Sequence, residues 1–207
     1  MPKLQNQPIT TMLVWLTVSL LLACSVEARL QIGQPAPGFT ATDAQGNEHQ
    51  LADYRGRLVV LEWTNHQCPY VRKHYDAGNM QAQQAAATDN GTVWLSVISS
   101  APGKQGHVSP AEAQQLTQAR NAEPTAVLLD PQGEIGRRYG ARTTPHMFII
   151  DRQGTLVYQG GIDAIPSADP ADIAAATQYI PQALSELRAG KPVSVPVTRP
   201  YGCSVKY

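Results

Sequence analysis

The segment Trp63-Thr64-Asn65-His66-Gln67-Cys68-Pro69-Tyr70-Val71 holds the residue types best able to do chemistry. Cys68 follows the apolar, β-branched run Leu58 to Trp63 and precedes helix formers that continue to Ala87 with no proline after Pro69. This order predicts a buried strand, a short loop and a helix whose first turn holds the cysteine. A helix N-terminus presents unpaired N–H groups and a partial positive charge, both of which favour a thiolate over a thiol. Cysteines so placed titrate at about 3.5–7.5 instead of about 8.5 and are nucleophilic at neutral pH. Pro69 suits the first helical position and favours this reading over a merely buried small side chain. A second element, Thr143-Thr144-Pro145-His146, precedes the apolar run Met147 to Ile150. A proline there predicts a fixed turn, a setting in which cis peptides occur, with the preceding carbonyl left free. In the expected chain order this turn faces the Cys68 helix.

The elements that must position these residues follow from local patterns. Phe39 to Asp43 and Glu48 to Leu51 flank Ala44-Gln45-Gly46-Asn47 and read as a hairpin. Leu58 to Trp63 and Thr92 to Ile98 read as strands, the first buried on both faces. Cys68 to about Ala87 reads as one helix. Ser109-Pro110-Ala-Glu112 has the serine cap, first-position proline and first-turn acid of a helix start. Thr125 to Leu129 reads as a strand, and Glu134 to Tyr139 as a short helix closed by Gly140. Met147 to Ile150 and Thr155 to Tyr158 flank Asp151-Arg152-Gln153-Gly154 as a second hairpin, and Pro170 to Arg188, capped by Asp169, reads as a long last helix. The order βαβαβ, hairpin, helix predicts an α/β fold: a central mixed sheet with helices on both faces.

Composition narrows the function classes. The chain has 207 residues, with Lys+Arg 16 against Asp+Glu 16, a formal net charge of zero and only 15% charged residues. Neutrality gives no electrostatic footprint for nucleic acid or an anionic membrane. A hydrophobic fraction of 43% supports a real core. Three cysteines, Cys24, Cys68 and Cys203, are too few for a disulfide-stapled scaffold. Met12 to Ala23 is an uncharged apolar run preceded by Lys3, short for a membrane span and suited to the core of a secretory signal. Cleavage after Ala28 fits the small residues Val26 and Ala28; Leu21-Leu22-Ala23-Cys24 instead resembles a lipoprotein box with Cys24 as the lipid anchor. Both routes predict an exported, periplasmic chain, in a compartment where disulfides persist. The expected divisions are a signal segment over 1–28, one domain over 29–190 and an extended tail over 191–207 that carries Cys203. With Cys24 set aside, two cysteines remain.

Ala36-Pro37-Gly38-Phe39, Asp43-x-x-Gly46, Leu51-x-x-Tyr54-x-Gly56, the Cys68-Pro69 loop and Thr144-Pro145 together resemble the thioredoxin-like superfamily, in its alkyl hydroperoxide reductase/thiol-specific antioxidant (redoxin) branch. The loop Asn65-His66-x-Cys68-Pro69-Tyr70-Val71 is most similar to a peroxiredoxin-like subgroup. The resemblance runs from about Ile32 to Ile162 and implies a thioredoxin-like fold with an N-terminal hairpin extension. The departures matter. Thioredoxin-type enzymes carry a second cysteine where this chain has Val71, which excludes a local Cys-x-x-Cys disulfide. Peroxiredoxins carry threonine or serine where this chain has Asn65, proline where it has Leu61, and an arginine where it has Pro145.

The resemblance implies a buried acid at Glu62, which would have a raised pKa and exchange protons with the thiol. An outward-facing Glu62, or one paired with Lys73, is the plainer alternative. His66 is placed to act as a local base or donor, or to be simply solvated. Arg72, Lys73 and His74 either add positive potential near Cys68 or form a solvated face. His66, Cys68 and His74 have the atoms for a metal site, with no evident fourth ligand. The tail Pro192-Val-Ser-Val-Pro-Val should be extended, and about ten such residues span roughly 30 Å. Cys203 can therefore reach Cys68 in the same chain or in a second copy, as a resolving thiol. Two functions follow. One is an extracytoplasmic thiol-based oxidoreductase without a cofactor, acting on protein disulfides or peroxides with a thiol reductant as partner. The other is a non-catalytic thioredoxin-like module that binds a partner or a metal, with Cys68–Cys203 as a structural clasp.

Overall fold

The computed structural model describes Met1 and residues 30–207. The rest of the expected signal segment, including Cys24, lies outside the described residues. Among those described, no helix is long and apolar enough to cross a membrane.

The opening hairpin forms as expected from β1 (Thr40–Thr42) and β2 (Glu48–Gln50), with Asp43 Oδ1 accepting the amides of Gln45 and Asn47 at the turn. β3 (Val59–Trp63) and β4 (Val93–Ile98) pair in parallel, and β4 pairs in parallel with β5 (Ala126–Leu129). After the two-residue strand β6 (Thr143–Thr144), β7 (His146–Ile150) runs antiparallel to β3, and β8 (Leu156–Gly160) antiparallel to β7. The central sheet is thus five-stranded and mixed, in the order β5-β4-β3-β7-β8. β3 lies in the middle and is buried on both faces, which is why its sequence is a continuous apolar run broken only by Glu62.

Alternate residues of β3 serve two cores. Val59, Leu61 and Trp63 pack with Leu95, Phe148 and Tyr139 on one face. Val60 packs with Trp94, Met147, Tyr75, Ile180 and Cys68 on the other. Trp63 and Trp94, both fully buried, anchor the two faces. At 150–250 Å² per side chain, each contributes at most roughly 4–6 kcal/mol of transfer free energy.

Two expected helices are each divided. The stretch after Cys68 forms α1 (Pro69–Asp76) and α2 (Asn79–Thr88), separated at Gly78, whose φ of +71° is left-handed and stops the first helix. α3 (Pro110–Ala119) starts with a full capping box between Ser109 and Glu112, and α4 (Glu134–Tyr139) ends at Gly140 as expected. Pro170 to Arg188 is not continuous. A 3-10 turn over Pro170–Ala174, capped by Asp169, is followed by α5 (Tyr179–Arg188). Pro181 lacks the N–H an interior position needs, so it fits only within the first turn of a helix that starts just before it.

The tail after Gly190 runs along the free edge of the sheet. Gln159 N donates to Pro196 O, and Thr198 N donates back to Gln159 O. It then crosses to β9 (Cys203–Ser204), which pairs antiparallel with β6 and sets Cys203 opposite Thr144.

Candidate functional site

Cys68 is the N-cap of α1, with extended backbone (φ −78°, ψ 123°) and Pro69 at the first helical position. Its amide donates to Asn65 O, and its own carbonyl accepts the amides of Val71 and Arg72, so the first turn of the helix is built around it. The Thr144-Pro145 peptide is cis, and the Thr144 carbonyl accepts a hydrogen bond from Cys68 Sγ at 3.1 Å. The expected turn therefore does face the expected helix.

Cys203 arrives on the same sulfur from the tail. Burial pushes the Cys68 thiol up, but hydrogen bonds from the Cys203 thiol, the Thr144 side chain, the Cys203 amide and the Val71 amide outweigh it, and the net pKa lies below the ordinary value. The Thr144 hydroxyl is buried and otherwise without a partner. Cys203 moves the opposite way, to about 11, through its own burial and its hydrogen bond and charge interaction with Cys68. The two are free thiols, Cys68 fully buried and Cys203 only half-buried. The arrangement is an asymmetric pair: one sulfur disposed to ionise, the other to keep its proton and donate it.

Two residues before Cys203 the tail meets a buried polar cluster that sequence reasoning missed. Lys73 Nζ on α1 donates to Asp163 Oδ2 and to Ile165 O, both at 3.2 Å. Tyr201, two residues before Cys203, donates its hydroxyl to Asp163 Oδ1 at 2.5 Å. The same hydroxyl oxygen lies 3.5 Å from Lys73 Nζ and 3.2 Å from His74 Nε2. His74 Nδ1 in turn accepts from Asn79. Desolvation and the Lys73 charge hold His74 at about 4 against the pull of Asp163, so the imidazole is neutral and both its nitrogens are engaged. The sequence signal was slight: an aromatic and a glycine immediately before the tail cysteine.

Other expected site residues lie elsewhere. Glu62 is buried as the resemblance implied, and burial raises its pKa. It pairs neither with Lys73 nor with Cys68. Oε1 accepts from Tyr75, and Oε2 accepts from Gln84, Trp94 and Ser96. His66 likewise has no hydrogen bond to Cys68. It lines a cavity of about 30 Å³ with Thr64, Tyr75, Ser96 and Arg120, and burial together with the Arg120 charge lowers its pKa. Arg72 is exposed against Asp76, four residues on. The metal reading fails on geometry: His74 is committed to Tyr201 and Asn79, and among the described residues no three metal-ligating side chains converge. Asn65, at the position where peroxiredoxins carry a hydroxyl, turns its side chain away, accepting from Gln67 N and donating to Gln105 O. Beside the thiol pair a groove of about 570 Å³ is lined by Tyr70, Thr143, Tyr179, Arg199 and Tyr201.

The profile of the AhpC/TSA family matches residues 32–159. The chain belongs to that family. A thiol-disulfide oxidoreductase ResA of Geobacillus kaustophilus is 33% identical over 116 residues, 50% of this chain and 66% of that protein. The chain thus spans just under two thirds of the length of that relative. A Mycobacterium tuberculosis protein named provisionally as a peroxiredoxin, Rv2521, is 31% identical over 142 residues, 62% of this chain and 83% of its own. Among solved structures, an uncharacterized conserved protein of Geobacillus kaustophilus superposes with a TM-score of 0.76 at 25% identity, covering 86% of this chain and 93% of its own. That share is larger than residues 32–159 make up, so the likeness extends beyond the family segment. The fold is thioredoxin-like, as the sequence resemblance implied.

Proposed function

We propose that the protein is a thiol-based oxidoreductase in which Cys68 is the redox nucleophile and Cys203 of the same chain is the resolving cysteine. The observation that carries this reading is the ladder that sets the free thiol of Cys203 opposite Thr144, whose carbonyl accepts from Cys68 Sγ at 3.1 Å; the pKa shifts, Cys68 lowered and Cys203 raised, point the same way. The Cys68 thiolate attacks one sulfur of a substrate disulfide, breaks that bond and expels a substrate thiolate, leaving a mixed disulfide. Cys203 gives its proton to the expelled thiolate and attacks the Cys68 sulfur. The second substrate thiolate leaves and takes a proton from water, and the Cys68–Cys203 disulfide closes. The substrate has gained two electrons as two thiols, and an external thiol reductant reopens the pair. Because Cys68 has no exposed surface beneath the tail, its first encounter with a protein disulfide requires the tail to lift.

Disulfides are favoured over peroxides as substrates, since Asn65 is turned to Gln67 and Gln105 and Pro145 stands where peroxiredoxins place an arginine. The mycobacterial relative supports peroxide as the second oxidant class. Glu62, His66, Thr144 and Pro145 take supporting roles in this reading: Thr144 as a direct contact of Cys68, Pro145 as the turn that presents it, Glu62 and His66 at a distance. The proposed location is extracytoplasmic, resting on the leader expected at residues 1–28 and on a thiol pair that an oxidising compartment can hold as a disulfide. The burial of Cys68 favours one other reading, a structural clasp without turnover. The deciding experiment assays disulfide reduction in a model protein and consumption of hydrogen peroxide by wild type, Cys68→Ser and Cys203→Ser. Turnover lost in Cys68→Ser is expected; wild type inert toward both oxidants leaves the clasp.

A further inference from the structure

The tail that carries Cys203 is held along β8 at Pro196 and Thr198 and, beyond the cysteine, at Val205, Lys206 and Tyr207, which leaves the approach to the sulfur itself to be defined between them. Three features converge two residues before that sulfur. Tyr201 projects its hydroxyl into a site walled by Lys73, His74 and Asp163, all three within 2% of complete burial. Its ring packs edge-on against Tyr70, with centroids 5.8 Å apart. Gly202 then brings the chain so close to the cis-proline turn that a Cβ there would lie 2.0 Å from Thr144 O, at a φ of +131° that side chains rarely adopt. A buried Lys–Asp pair contributes little net stability by itself, since desolvation offsets its attraction. Its geometric value is greater: the tyrosine hydroxyl accepts from Lys73 and His74 while donating to Asp163, which uses its full hydrogen-bonding capacity and fixes it in one place.

We propose that Lys73, Asp163 and His74 form a latch for Tyr201, and that Tyr201 and Gly202 are the positioning residues that hold Cys203 against Cys68. The proposal rests on the reading of Cys203 as the resolving thiol and adds what places it. None of these side chains touches the reacting sulfurs except through the tail backbone. Held in the latch, the tail also covers Cys68, so the same contacts that raise the effective concentration of Cys203 keep other reagents from its partner.

The test compares full-length wild type with Tyr201→Phe, which removes only the hydroxyl, Tyr201→Ala, which also removes the ring, and Gly202→Ala. Val195→Ser, at an exposed tail position, is the control. Two quantities are read: the equilibrium of the Cys68–Cys203 disulfide with dithiothreitol, and the rate at which iodoacetamide alkylates Cys68 in the reduced protein. Tyr201→Ala and Gly202→Ala are expected to weaken the disulfide about tenfold, a rise of about 30 mV in its potential, and to speed Cys68 alkylation by a similar factor. Tyr201→Phe should move both in the same direction by less, and Val195→Ser neither. Wild-type equilibrium and alkylation in all three variants, with circular dichroism showing them folded, would overturn the latch. If wild type forms no Cys68–Cys203 disulfide with any oxidant, the resolving role falls, whereas the alkylation rates still decide the latch.

Discussion

Thr144 and Cys203 lie directly opposite one another in a two-residue antiparallel ladder, and both also contact the sulfur of Cys68. The turn that presents a carbonyl to Cys68 is thereby the same piece of backbone that receives the second thiol. A change in one of the two contacts is transmitted to the other through a single pair of residues.

The ionisation of Cys68 should follow from these contacts. Its thiolate absorbance is expected to titrate below the ordinary thiol range, and Cys203→Ala or Thr144→Val should move the midpoint upward by removing donors to the charged form. For a group whose folded pKa is lowered, the stabilising contribution is present above the unfolded value and lost as pH falls through the folded one. A wild-type midpoint at or above that of an unfolded cysteine peptide would contradict the asymmetric pair.

Once the disulfide has formed, an incoming thiol has two sulfurs to choose from. Cys203 is the one solvent reaches, and attack there releases Cys68, the thiol of lower pKa and thus the better leaving group. Brief treatment of the oxidised protein with limiting glutathione, acid quenching and peptide mapping should find the adduct on Cys203 and a free Cys68. An adduct confined to Cys68 would reverse the order of reduction.

Glu62 anchors four donors in the core. Glu62→Ala leaves the Trp94 indole, the Ser96 hydroxyl and the Tyr75 hydroxyl without their acceptor, and unpaired buried groups cost about 1–3 kcal/mol each. Urea unfolding should show a loss of at least about 3 kcal/mol. Glu62→Gln keeps an oxygen on the Trp94 side and should lose less. The raised pKa of Glu62 makes its contribution to stability greatest below the unfolded value and smaller as pH rises through the folded one. Glu62→Gln should therefore gain on wild type as pH increases. A Glu62→Ala variant as stable as wild type would show these hydrogen bonds to be dispensable.

Acid should destabilise the fold through two histidines. His74 is held at about 4, mainly by desolvation, and His146 at about 3, by desolvation and then the Arg142 charge. Both stay neutral in the folded chain after the unfolded chain has begun to take up protons near pH 6.5, so stability present above that value is lost as pH falls toward 4. A depression of the size seen at His74 corresponds to roughly 3 kcal/mol. Thermal melts of His74→Gln should lose part of the wild-type decline between pH 6.5 and 4; an identical slope would assign the decline to other groups.

The parts of the fold that the sequence made legible are those written by neighbours in the chain. Ser109, Pro110 and Glu112 define a capping box within four residues, and Glu134 to Gly140 marks both ends of its helix. The breaks at Gly78 and Pro181 were also visible as residues, but the helix formers around them outweighed a single left-handed glycine and a single missing N–H. The meeting of Cys68 with Thr144-Pro145 was legible because each carries its own local signature. The latch was not: Lys73 meets Asp163 across 90 residues and Tyr201 across 128, with no periodicity to announce either contact. Glu62 shows the limit from the other side. Its burial was foreseeable from the strand, yet its partners Trp94, Ser96 and Gln84 come from other elements and take it away from the thiol.

The tail has one more consequence, where it lies along β8. Gln159 exchanges backbone hydrogen bonds with Pro196 and Thr198, so the outer rim of the sheet is occupied by the chain's own terminus. A protein truncated after Lys191 would bare the far half of that rim, leaving the N–H and C=O of Gln159 facing water while Leu156 stays paired with Gly33 and Gln34. Such a rim is a template for another strand. The segment that brings a thiol to Cys68 is therefore also what keeps one copy of the sheet from being continued by the next.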